Sequence, residues 1–447
     1  MRQRLTALLQ EQSLRGASLR SGAWTFFGFG LQAVLRLGSN LILTRILAPE
    51  MFGLMSLALV FVLGVSLMSD LGTKHSVIRS SRGEDTDFLA SAWTIQVLRG
   101  AFVTLLACAL AWPAAQAYGQ PELFVVLCVL SLMAVIDGFN SISMATTSRN
   151  MELGRQTLIT LASQILSIAL MIGFAIVLES VWALVIGTLA ASALKTLLSH
   201  LLLTPFKHRF VLERAAVREI IGFGQWVLLS TMFTFIGGRG ITAVHGALVP
   251  LDILGVLAVS TTLIRALEDL IAKLLAAVAF PAFSKVIREN LEDLPTMLNR
   301  VRNRFLTVCV IGFCGVSMIA QPLIDFLYDP RYALAGSILA IQALNGALRI
   351  MAAPYQEVLL ALGNSRLHAA VMFCSAAAGI LGTIAGFYFY DVFGMIAGMG
   401  VGALLAFGLS ASFAWRRGYA NLTLDFTIIL AILFLYAHTL LRLSSAA

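Results

Sequence analysis

Apolar runs of about 20 residues or more, separated by short polar turns, recur from one end of this chain to the other. A helix needs about 20 apolar residues to cross the roughly 30 Å hydrocarbon core of a bilayer. All its backbone amides then bond inside the segment, which lipid demands. A membrane barrel would instead show shorter segments alternating between apolar and polar residues. The predicted fold is therefore all-α: a polytopic membrane protein of about 12–14 transmembrane helices. Composition agrees, because 59% of the residues are hydrophobic and 12% charged, against about 25% charged in soluble domains.

The predicted spans lie near 22–47, 52–79, 87–112, 122–146, 155–178, 181–204, 219–247, 251–283, 301–328, 334–361, 366–390, 393–415 and 423–442. The net charge of +8 sorts by side. Residues 2–20, 74–82, 149–155, 207–218, 285–304, Arg366 and 416–417 hold most of the Lys and Arg, whereas the opposite turns hold Arg45, Arg331 and Arg442. The positive-inside rule then puts the N-terminus in the cytoplasm and makes nucleic acid an unsuitable partner. Leu5, Leu8 and Leu9 give residues 1–21 the pattern of a short amphipathic helix, without the apolar core and cleavage site of a signal peptide.

Residues 205–218 divide the chain into an N-terminal lobe, 22–210, and a C-terminal lobe, 211–417, followed by an additional helix in 418–447. That last helix has no obvious partner in the pattern. The turn Leu47-Ala48-Pro49, with Gly53 after it, has a counterpart in Leu248-Val249-Pro250, with Gly255 after it. Symmetry at half the chain length is a mark of transporters built from repeats. The five cysteines lie in apolar spans without CxxC spacing, and the histidines form no HxxxH or HExxH set. The pattern calls for no metal and no cofactor. Gly394, Gly398 and Gly402, with Gly382 and Gly386 one span earlier, read as close helix packing and not as part of a dinucleotide site.

Several segments in order resemble a known family. Leu43-Thr44-Arg45-Ile46-Leu47-Ala48-Pro49-Glu50-Met51-Phe52-Gly53 is similar to the ARxLxPxxFG turn of the polysaccharide transporter family. Asp70-Leu71-Gly72, Val181-Trp182-Ala183-Leu184-Val185, Ile221-Gly222-Phe223-Gly224 and Ala279-Phe280-Pro281-Ala282-Phe283-Ser284 continue the likeness. Together they resemble Wzx-type flippases of the multidrug/oligosaccharidyl-lipid/polysaccharide superfamily, over roughly residues 22–290. The resemblance implies two six-helix lobes around a central cavity in the bacterial inner membrane. It implies transfer of undecaprenyl-pyrophosphate-linked oligosaccharide units for exopolysaccharide, capsule or O-antigen synthesis. Its implied partners are that lipid-linked oligosaccharide, membrane lipids, and polysaccharide polymerase and export machinery. Where many relatives carry an acidic residue late in span seven, this chain has Arg239.

Such cargo has an anionic pyrophosphate and a hydroxyl-rich head, so it needs a cationic, polar path. Charges at mid-bilayer cost about 2.5–3.5 kcal/mol on insertion scales and are functional candidates by default. The basic ones are Arg36, Arg99, Lys195, Arg239, Arg265, Lys273 and Arg349; the acidic ones are Asp70, Asp137, Glu268, Asp269 and Glu357. Arg36, Arg99, Arg239, Arg265, Lys273 and Arg349 are the candidate substrate-binding residues, and Arg36 and Arg349 are expected to face the cavity. Lys195 and Lys273 are long enough to snorkel. Arg265, Asp269 and Lys273 also share one helical face, where ion pairs alone would explain them. Asp70 has a bland reading too, as a helix-end cap or a partner for Lys74. Asp137, followed by Glu357, is the candidate cation-coupling site, against the reading that Asp137 simply pairs with a cation on another span.

Other readings stay open on sequence. A peptidoglycan-precursor flippase would share these features. A cation-coupled drug antiporter would share the fold but fits a basic lining poorly. A polymerase or glycosyltransferase would need catalytic carboxylates in a sizeable extramembrane loop. The chain is read as a carrier and not an enzyme.

Overall fold

The computed structural model describes residues 14–150, 152–362, 364–419 and 423–446. The first residues of the predicted amphipathic segment, 1–13, lie outside them. The described residues form helices and connectors, without strands. They fall into two compact units, Met1–Phe235 and Ile236–Ala447.

In the N-terminal unit, α1 (Leu14–Ile46) is followed by α2 (Pro49–Met68) and the short α3 (Thr73–Arg79). Next come α4 (Thr86–Ala117), α5 (Pro121–Gly138), the short α6 (Ser143–Arg149), α7 (Leu153–Leu178), α8 (Trp182–Leu202) and most of α9 (Arg214–Gly237). Two predicted spans are thus broken helices, α2 with α3 and α5 with α6. The first break has a local cause. Gly72 takes a left-handed φ of 59°, which costs a glycine little, and Asp70 Oδ1 accepts its N–H at 3.0 Å. The two tails are tied together: the Arg149 guanidinium, in the last turn of α6, donates to the carbonyls of Val77, Ile78 and Ser80 at the end of α3. A cation there also suits the helix C-terminus.

The resembling motifs mark helix breaks and close approaches. Pro49 opens α2 at its first turn, where a missing N–H is harmless. A Cβ on Gly224 would run into the Leu71 carbonyl, so glycine lets α9 lie against the break after α2. The stretch 203–213 is not helical. It lies along the first turns of α4, where Val211 N–H donates to Thr94 Oγ1 at 3.1 Å and Glu213 N–H to Ser91 Oγ at 3.0 Å.

The C-terminal unit contains α10 (Ile241–Leu248), α11 (Leu251–Glu289), α12 (Leu294–Val301), a π-helical turn (Arg302–Leu306), α13 (Thr307–Leu327), α14 (Leu334–Ala361), α15 (Ser365–Arg416) and α16 (Thr423–Ala446). The basic segment 285–304 contains the short helix α12, which buries Leu294 and Leu298. Helix α15 is two helices joined at Tyr390 and Asp391, whose backbones are non-helical. The predicted spans 366–390 and 393–415 are its two halves. Their glycines meet as the GxxxG pattern predicts, since a Cβ on Gly398 would enter the Gly382 carbonyl and one on Gly386 the Gly394 carbonyl. Ten helices among the described residues are long and apolar enough to cross a membrane, with α15 counted once. The predicted spans 219–247 and 251–283 correspond to α9 with α10, and to α11.

The last helix does have a partner. Helix α16 packs on α14. Tyr436 OH donates to Asn345 Oδ1 at 2.9 Å, and Asn345 Nδ2 donates in turn to the Ile396 carbonyl at 2.8 Å. Asp425 at its start meets Arg302 and Tyr355 in the interior of the unit. The cysteines are all unpaired thiols.

Candidate functional site

The breaks in α2–α3 and α5–α6 open a cavity of about 410 Å³ inside the N-terminal unit. The charged side chains lining it are Asp70, Lys74, Arg99, Asp137 and Lys195, joined by His75. By sequence, Asp70 caps a helix end or pairs with Lys74. The structure gives it the break at Gly72 and the Arg99 guanidinium, 3.6 Å away. Arg99 reaches across from α4 and is held firmly, with Nη2 donating to the Ser66 carbonyl at 2.6 Å.

Asp137 finds a cation on another helix: Lys195 Nζ lies 3.7 Å from its carboxylate. Asn140, just past the end of α5, donates to the same carboxylate at 3.1 Å. Gln96 donates to the Gly138 and Asn140 carbonyls at 2.9 and 3.1 Å, satisfying backbone groups that the break leaves open. Lys195 does not simply snorkel away from the protein, because it sits in this cavity as Asp137's partner.

Lys74, a loop cation by sequence, lines the same cavity. Lys74 stands two residues after Gly72, the glycine at which the helix breaks. Among the described residues no carboxylate lies within 4 Å of it, and the charge it senses is that of Lys195.

Arg36, on α1, is exposed and has no ion-pair partner among the described residues. A hydrogen bond of 3.0 Å from Gln164 to the Gln32 carbonyl, one turn earlier, holds α1 to α7.

A second set of charges gathers in the C-terminal unit. The charged neighbours of Arg265 are Arg239, Glu268, Arg349 and Asp269. Arg349, expected from sequence to face the cavity, is ion-paired from α14 to Glu268 on α11. Thr261 and Gln342 join the same two helices by a 2.9 Å hydrogen bond. The cross-helix ion pair stands beside the Arg265, Asp269 and Lys273 face, where Asp269 remains a charged neighbour of Arg265. Arg239 is exposed in the turn between α9 and α10, and Lys273 is exposed on α11. Glu357 is half-buried on α14, with no ion-pair partner among the described residues. The site candidates thus collect within each unit: Arg99 and Asp137 in one, Arg239, Arg265 and Arg349 in the other.

This arrangement occurs on a known framework. The profile of a polysaccharide biosynthesis protein family matches residues 42–337, two thirds of the chain. The chain belongs to that family. Its relatives include the lipopolysaccharide biosynthesis protein WzxC of Escherichia coli, 21% identical over 361 residues, covering 78% of this chain and 71% of WzxC. Another is the succinoglycan biosynthesis transport protein ExoT of Rhizobium meliloti, 21% identical over 306 residues, covering 68% of this chain and 61% of ExoT. Among solved structures, the lipid II flippase MurJ in an inward closed conformation superposes with a TM-score of 0.70 at 14% identity, covering 94% of this chain and 92% of MurJ. The family member described here thus has the multidrug/oligosaccharidyl-lipid/polysaccharide transporter fold expected of it.

Proposed function

We propose that this family member is a flippase that moves undecaprenyl-pyrophosphate-linked oligosaccharide units across the bacterial inner membrane, with its N-terminus in the cytoplasm. The observation that carries this reading is the gathering of basic side chains inside each unit of a chain whose helices are otherwise apolar. Such charges are expensive in lipid, and an anionic pyrophosphate is a cargo that compensates them. Arg36, Arg99, Arg239, Arg265, Lys273 and Arg349 are the residues proposed to hold that head as it crosses. Asp137 and Glu357 are proposed to take up the coupling cation.

Outward movement of the anion is downhill in an inside-negative field, by about 2.3 kcal/mol per charge per 100 mV. A coupling cation resets the empty carrier by binding one state more tightly than the other, which shifts their populations by that difference in affinity.

Reconstitution tests the reading. Proteoliposomes are loaded with labelled polyprenyl-pyrophosphate oligosaccharides in one leaflet, and transfer is read by accessibility to an impermeant reagent. Lipid II and an organic cation serve as competing cargoes. Arg36→Ala and Arg349→Ala are expected to slow transfer while inserting normally. Equal transfer by empty liposomes, or movement of the organic cation alone, overturns the assignment.

A further inference from the structure

Lys74 and Lys195 approach one another in the N-terminal cavity, and the geometry points to a phosphate-anion site between them. This inference deepens the proposed function and rests on it for the identity of the anion's carrier. Counting Asp70, Lys74, Arg99, Asp137 and Lys195, three cations face two carboxylates. One positive charge is left over inside a cavity whose apolar wall includes Val62, Leu63, Val103 and Met133. The two existing pairs absorb Arg99 and Lys195, at 3.6 and 3.7 Å. Both separations exceed the 2.7–2.9 Å of a tight N⁺–H···O⁻ bond by roughly 0.7 Å or more. They are loose pairs that leave ammonium protons of Lys195 free to donate elsewhere, since an ammonium carries three.

Lys74 is the surplus cation, and the charge it feels is another ammonium. Like charges sharing a site disfavour one another. A doubly charged anion with several acceptor oxygens placed between them removes that repulsion and uses donors that are otherwise idle. Arg99 contributes charge but little reach, because Ser66 and Asp70 hold its guanidinium. A volume of about 410 Å³ falls in the range of small-ligand cavities, about 300–1,000 Å³. It accommodates a phosphate or pyrophosphate group and not a whole oligosaccharide.

Position supports the assignment. Lys195 stands on α8, which ends at Leu202, about 10 Å further along at 1.5 Å per residue. On the orientation proposed above, the cavity therefore opens in the cytoplasmic half of the unit, where a lipid-linked sugar would first present its phosphates.

The site is tested by binding, with the full chain in phosphatidylcholine nanodiscs and inorganic pyrophosphate as the probe in calorimetry. Lys74→Gln is the primary variant, because it breaks neither ion pair and so spares the fold. Lys195→Arg retains charge, and Lys207→Gln on the exposed connector is the control. Pyrophosphate is expected to bind the parent, the control and Lys195→Arg, and to bind Lys74→Gln at least tenfold more weakly. No binding to the parent, or equal binding to Lys74→Gln, overturns the site. Two further arms identify the source of the anion. Competition by polyprenyl pyrophosphate supports the cargo as the occupant, whereas displacement of the probe by phosphatidylglycerol alone overturns that part and assigns the site to a bilayer lipid. Failure of the flippase reading is seen separately, as absent transfer by a parent that still binds pyrophosphate.

Discussion

Arg302 and Asp425 meet in the interior of the C-terminal unit, with Nη2 2.6 Å from Oδ1 and neither side chain more than 2% exposed. Tyr355 completes the group, donating its hydroxyl to Asp425 while its ring lies 5.3 Å from the guanidinium carbon. Arg302 opens the π-helical turn before α13, and Asp425 stands at the start of α16, so the pair fixes the last helix to the body of the unit. Removing one member of a buried pair leaves the other charge uncompensated, at a cost of about 3–5 kcal/mol. Asp425→Ala is therefore expected to destabilise the detergent-solubilised protein by that amount in equilibrium unfolding. Replacing both, as Arg302→Met with Asp425→Leu, should recover most of it.

The glycine crossing within α15 makes a contrasting prediction. Gly398 faces the Gly382 backbone, so Gly398→Val must push the two halves apart, at about 1–3 kcal/mol for overpacking. Gly408 has open space around its Cβ position, and Gly408→Ala should be neutral or gain about 0.5–1 kcal/mol from helix propensity. Thermal unfolding followed by fluorescence-detected size exclusion separates the two outcomes, and equal loss in both variants would refute the packing account.

The connector carries a pH dependence. His208 Nε2 accepts the Ile142 N–H at 3.3 Å, so that nitrogen is unprotonated, and the Trp93 ring lies 5.0 Å away. Burial, followed by the neighbouring His200, pushes the His208 imidazole below its ordinary value. With the folded value depressed, its contribution to stability is fully present above about pH 6.5 and lost as pH falls through the folded value. The melting temperature of the parent should therefore drop more between pH 7.5 and 5 than that of His208→Gln. Identical drops would show that this ring does not carry the effect.

Asp137 is predicted to be the site at which an ion gradient acts. Asp137→Asn keeps a side chain that Lys195 and Asn140 still accommodate, so it should fold and retain its cargo. Transfer by this variant in proteoliposomes should no longer respond to imposed pH or Na⁺ gradients. A parental response would leave Asp137 as a structural partner of Lys195.

Why some of this was legible in the sequence follows from the range of the interactions. Periodicity and span length placed the helices, and the Gly382, Gly386, Gly394 and Gly398 spacing identified a contact that depends on one residue type at one period. The breaks were harder, because α2–α3 and α5–α6 read as continuous apolar spans and depend on Gly72 and on hydrogen bonds from Gln96. The charge partners were out of reach. Arg349 with Glu268, Lys195 with Asp137, and Arg302 with Asp425 join helices that lie far apart in the chain, and no local spacing encodes such a choice.

The separation of Arg302 and Asp425 by 123 residues also sets a schedule. At about 5–20 residues per second, the ribosome delivers Asp425 roughly 6–25 s after Arg302 has left the peptidyl-transferase centre. During that interval the guanidinium belongs to a growing chain whose final helix does not yet exist, and it must stay hydrated near the membrane surface. The C-terminal unit therefore closes late in biogenesis, when α16 arrives carrying the carboxylate that lets Arg302 go inside.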